Sequence, residues 1–179
     1  MRRAVIPALV PVVVVLALAL LLHIASAPAA TPPARAAAEY SVHLNALSQL
    51  SVAVAEAMPD DKYSFRPHPD SMDYGQLISH IATTNYQFCA GLNDSNPPSL
   101  PSPTSKDAVV KFLRDSFDYC AGVINGLTTA QLDAVHNSPD GRLPGREVLL
   151  AMYVHVAHHR GQAEIYLRDN GIKPPNYRI

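Results

Sequence analysis

The chain lacks most of the marks by which a sequence announces a cofactor. It has no glycine-rich phosphate loop, no dinucleotide fingerprint, and no serine or cysteine set beside a base. No basic stretch stands out and the formal net charge is −1, which argues against a nucleic-acid partner. No internal repeat occurs, and no strand-like alternation of apolar and polar residues is sustained, so the expected elements are helices. Cysteine is scarce. Cys89 and Cys120 are the only two, and neither has a neighbouring cation in sequence to lower its pKa, which makes them poor nucleophiles.

What is present begins with a secretory layout. Met1-Arg-Arg3 precedes the apolar run Ala8 to Leu22, and small residues at Ala25-Ser-Ala27 and Ala27-Pro-Ala29 offer cleavage points. An uncleaved membrane anchor is the competing reading, but the run is short for a span and carries Pro7 and Pro11 at its front. Residues 1–30 are therefore expected to be a signal peptide with the start of an Ala/Pro linker. Export to the periplasm or beyond would follow, with no membrane association after cleavage. An oxidising compartment permits a disulfide between the cysteines.

Residues 36–179 read as one domain of four helices. The first runs from about Ala36 to Met58, with Tyr40, Leu44, Leu47 and Val54 at helical spacing, and Pro59-Asp-Asp61 stops it. Pro67 and Pro69 make Lys62 to Asp70 an extended connector. A second helix, about Met72 to Leu92, takes Ser71 as its cap. A third spans about Ser105 to Leu127, and Thr128 to Asp133 adds a short turn. Asn137 to Gly145 reads as a polar loop, and the fourth helix follows from about Arg146 to Asp169, stopped by Asn170-Gly171 and Pro174-Pro175.

Between the second and third helices, Asn93 to Thr104 carries Pro97, Pro98, Pro101 and Pro103. A dozen residues stiffened toward a polyproline path at ~3 Å each can reach ~30 Å, the length of a twenty-residue helix. That suits a long crossover leaving the two helices parallel. Cys89 and Cys120 then lie at similar heights and can bond, whereas in an antiparallel pair they would miss by ~20 Å. Two small buried thiols are the plainer alternative.

The fourth helix contains Tyr153-Val-His-Val-Ala-His-His-Arg-Gly-Gln162. At ~100° per residue, His155 shares a side with Val148, Met152, His159, Gln162 and Tyr166, while Tyr153, Arg160 and Glu164 fall opposite, toward solvent. An imidazole pair at i and i+4 on an apolar face needs a partner, either a divalent metal or a plain hydrogen bond. Val156 stands where a zinc-protease H-E-x-x-H pattern needs its glutamate, so that mechanism is not indicated. His158 lies on the flank of the face, as a group behind the ligands, a proton carrier, or a boundary histidine bonded to another helix. Gln162 is placed to orient a ligand ring or bound water. His43, His68 and His136 have no partner spacing and read as surface or connector residues.

Leu77 and His80 within Ser71 to Ala82 look like the S…LxxH segment of the DinB/YfiT-like superfamily. His155-Val-Ala-His-His-Arg-Gly-Gln162, followed by Tyr166-Leu-Arg168, Gly171 and Pro174-Pro175, resembles its C-terminal signature, and Phe65-Arg-Pro67 its connector. The resemblance implies a four-helix bundle with a long crossover, commonly a homodimer. It also implies a divalent metal on His80, His155 and His159, with zinc or nickel suiting three imidazoles. By the same resemblance, characterised relatives transfer low-molecular-weight thiols or isomerise small acids with a thiol cofactor. The functional classes in view are a metal-dependent hydrolase or thiol transferase, a metal-binding module without turnover, and a bundle merely stapled by its metal.

Overall fold

The computed structural model describes residues 35–176, so the expected signal peptide lies outside the described residues. Helix α1 (Arg35–Ala57) is followed by a 3-10 turn at Asp60–Lys62, α2 (Tyr74–Leu92), α3 (Lys106–Asn125) and a short α4 (Thr129–Asp133). Strands β1 (Val135–Ser138) and β2 (Gly141–Pro144) then precede the long α5 (Gly145–Asp169). The fold is all-α in character, a four-helix bundle of α1, α2, α3 and α5. Among the described residues no helix is long and apolar enough to cross a membrane.

Pairs of contacts give the helix directions. Asn85 bonds Ser116 and Cys89 bonds Cys120, so α2 and α3 advance together and are parallel. Ser41 bonds Asn125 whereas Arg114 pairs with Glu56, so α1 and α3 run in opposite directions. Tyr166 donates to the carbonyl of Met72 while Met152 packs on Cys89, so α2 and α5 are antiparallel. The order is up, down, down, up, and the proline-rich crossover makes the third step possible.

Capping follows from the chemistry of helix ends. Asp73, not Ser71, caps α2, accepting from the Gln76 amide while Gln76 reaches back to the Asp73 amide. An acceptor followed three residues later by glutamine makes the reciprocal box, and Ser71 has no such partner at Tyr74. At the other end of α1, the last carbonyls would lack donors. Lys106 Nζ donates to Glu56 and Met58, Tyr63 to Ala55 at 2.6 Å, and Tyr74 to Val54 at 2.6 Å. Burial pushes both tyrosine hydroxyls far above their ordinary pKa, so they stay protonated donors. Tyr74, Phe88, Phe117 and Met58 fill the centre of the core.

The expected polar loop Asn137 to Gly145 instead holds the end of β1, the turn and all of β2 of an antiparallel hairpin, in which Val135 pairs with Pro144 and Ser138 with Gly141. Gly141 takes φ +102° at the turn, the left-handed region that glycine enters without a Cβ clash. Four residues per strand are too few for alternation to register, and only His136 turns fully inward. The hairpin sits close against the end of α2: a Cβ at Gly91 would lie 2.0 Å from the Asn137 carbonyl oxygen. His136, expected as a surface or connector residue, lies in the connecting hairpin but is only 2% exposed, with Nε2 donating to the Gln131 carbonyl at 2.7 Å and Nδ1 3.0 Å from Asp94.

A three-histidine candidate metal centre

His80 comes from the middle of α2, and His155 and His159 from successive turns of α5. The antiparallel packing of these two helices, fixed by apolar residues on both, brings the three rings together. Their centroids lie 4.4 to 4.9 Å apart, and each offers a nitrogen within 4.8 Å of the others. His80 Nε2 is 3.1 Å from His155 Nε2. Two imidazoles on one ion at ~2.0–2.1 Å would place their nitrogens roughly 3.0–3.4 Å apart, so this spacing suits ligation as well as a hydrogen bond. The cluster can hold a metal ion.

The electrostatics favour neutral rings. Burial is the main cause for all three; repulsion from neighbouring histidines adds to it, while at His159 the Gln162 hydrogen bond works in the opposite direction. The net effect pulls His155 down to about 4 and lowers His80 and His159 below the ordinary histidine value. Neutral imidazole is the ligating form. Phe88 sits edge-on to His155 with ring centroids 6.0 Å apart, closing the inner side. His155 Nδ1 is buried and finds no hydrogen-bond partner among the described residues. Below His155, Met152 Sδ lies 3.5 Å from Cys89 and 3.9 Å from Cys120, whose bonded sulfurs carry no proton, so this is sulfur packing.

Gln162 is exposed, yet it touches two histidines: His159 Nδ1 lies 2.8 Å from its Oε1, and His158 Nε2 lies 3.0 Å from its Nε2. His158 thus bonds within its own helix. Arg160, expected in solvent, is 8% exposed and ion-paired with Glu164 one turn on, which also approaches Arg168 at 3.7 Å. Tyr153, expected outside as well, is partly buried on Tyr40 and donates to its carbonyl at 2.6 Å. Helical periodicity misses this because α5 packs against α1 as well as α2, which covers the side of Tyr153 and Arg160 and leaves the stripe through Leu150, Val154 and Ile165 to water.

Two clefts adjoin the cluster. One of about 800 Å³ is bordered by His80, Ser79, Thr83, Gln76, Tyr63 and Phe112. Another of about 400 Å³ lies beside His159 and Gln162, against Met72, Leu77 and Tyr166. Sequence reading misses the first cleft, although Ser79 and Thr83 flank His80 at helical spacing; its outer walls come from the 3-10 turn and the crossover, which no local pattern places there.

A model of the DinB superfamily matches residues 43–163. The uncharacterised protein YjoA of Bacillus subtilis is 28% identical over 134 residues, spanning 72% of this chain and 84% of YjoA. The crystal structure of that DinB-like protein superposes with a TM-score of 0.68 at 23% identity, covering 78% of this chain and 98% of its own. A DinB-like protein from Bacillus cereus superposes with a TM-score of 0.65 at 19% identity, covering 75% and 92%. With a family match over most of the described helices and a shared bundle, the chain belongs to the DinB superfamily.

Proposed function

We propose that this is an exported metalloprotein holding one divalent ion, zinc or nickel, on His80, His155 and His159. Its activity is that of a hydrolase or thiol transferase on a small molecule. The observation that carries the reading is the convergence of three imidazoles, kept neutral by burial, from two helices beside a cleft of mixed polar and apolar lining. An ion bound there would lower the pKa of a water or thiol, or polarise a carbonyl. Ser79, Thr83 and Gln76 in the same cleft supply hydroxyl and amide groups to orient a polar substrate. The Cys89–Cys120 bond supports export, since disulfides persist in oxidising compartments. Exposed Leu150, Val154 and Ile165 on α5 suit a homodimer contact.

One observation favours a structural role instead. The disulfide ties α2 to α3, while nothing covalent ties α5 to α2, and that is where the histidines meet. Elemental mass spectrometry on untagged mature protein, beside a His155→Ala/His159→Ala variant, is the first test. About one ion per chain, lost in the variant, is expected, and hydrolase and thiol-transfer substrates are then screened. No metal after incubation with zinc and nickel would sink the proposal. Metal uptake with a large gain in melting temperature and no turnover would favour the staple.

A further inference from the structure

The contacts of Gln162 join three side chains along one flank of α5, from His159 through the amide to His158. A carboxamide has one accepting end and one donating end, so the two contacts depend on each other. With its oxygen toward His159, the Nδ1 of that ring carries the proton and donates, leaving Nε2 with a free lone pair. Were the amide turned over, its NH₂ would face Nδ1, which would have to be bare, and the proton would sit on Nε2. Only the first arrangement supplies a ligand atom from Nε2. At its far end the NH₂ donates to His158 Nε2, and turning the amide over would require that nitrogen to carry the proton instead, so the tautomers of His158 and His159 are coupled through the amide.

We infer that Gln162 is a positioning residue that selects the ligating tautomer of His159, and that His158, in the tautomer with a bare Nε2, acts through it by holding the amide the right way round. An amide N–H is not an acid of any use near neutral pH, so the chain carries no proton from His158 to the cluster. His158 is a support for Gln162. The affinity consequence rests on the metal reading proposed above, whereas the tautomer of His159 is a property of the metal-free chain. This lets the two ideas fail separately.

The test uses the full mature chain, with zinc as the probe. Nitrogen-15 imidazole spectra of the metal-free protein report which nitrogen of His159 is bare, and competition with a chromophoric chelator reports zinc affinity. Gln162→Leu is expected to mix the His159 tautomers and weaken zinc binding roughly ten- to hundredfold, the usual effect of losing a group that orients a ligand. Gln162→Glu, whose carboxylate accepts without needing an orientation, keeps both readouts near wild type. His158→Ala weakens zinc binding in the otherwise wild-type chain. Added to Gln162→Glu it causes no further loss, because a carboxylate has no wrong way round. Unchanged spectra and a zinc Kd within twofold of wild type for Gln162→Leu would overturn the inference. A wild-type chain that takes up no zinc would overturn the metal reading, and the spectra would still decide the role of Gln162.

Discussion

The Nε2 atoms of His80 and His155 lie 3.1 Å apart although 75 positions separate the residues in sequence. Both rings are drawn from water; His159 and His80 make protonation of His155 harder, and His159 does the same to His80. The same closeness that suits a shared ion makes the metal-free cluster a pH-sensitive part of the fold.

Stability of the metal-free protein is expected to fall as pH drops from about 6.5 toward 4. His155 has a folded value of about 4 against an ordinary 6.5, so within that window the unfolded chain binds more protons and is favoured by acid. Above 6.5 the contribution is complete. Urea midpoints at pH 7 and pH 4.5 measure it, and His155→Leu should show a smaller difference between them. Equal pH sensitivity in the two proteins would rule out this source.

Replacing both cysteines by serine should destabilise the protein by about 3–4 kcal/mol, the loop-closure value for a bridge of this span. Both residues are fully buried, and the change also exposes the packing of Met152 to two hydroxyls. Urea unfolding without reductant gives the difference. Thiol titration of unfolded, unreduced protein should find none, and two would show that the bond does not form in solution.

Two helical glycines should respond to alanine with opposite signs. At Gly122 nothing lies within 4 Å of an added Cβ, so Gly122→Ala should stabilise by about 0.5–1 kcal/mol through helix propensity. At Gly91 the new atom would meet the Asn137 carbonyl oxygen, and Gly91→Ala should destabilise by roughly 1–3 kcal/mol as the hairpin is pushed away. Thermal or urea melts of the pair decide it. A stabilised Gly91→Ala would mean the hairpin does not dock as described.

The bundle is legible in the sequence because its signals are local. Apolar spacing marks α1, α2, α3 and α5 to within a residue or two, apart from the cap of α2, and four prolines announce the crossover. The hairpin is not legible, because its strands are short and its register depends on docking against α2. The surroundings of α5 escape for a related reason. Periodicity reports which face of a helix is most apolar, not how many neighbours surround it, and so it places Arg160 and Tyr153 in water. His136 has no partner spacing because its partners, Asp94 and Gln131, lie on other elements.

The sequence by itself determined the four bundle helices, the crossover that makes α2 and α3 parallel, and the pairing of His155 with His159 on one turn-spaced face. Each depends on backbone geometry within a few residues or on the reach of a stiff linker. Resemblance to a family added His80. Only the tertiary structure decided that His80 and His155 approach within 3.1 Å, that Gln162 bridges His158 and His159, and that a cleft opens beside the cluster. These follow from how helices pack and how side chains orient, which depend on every contact in the core at once and leave no local periodic trace.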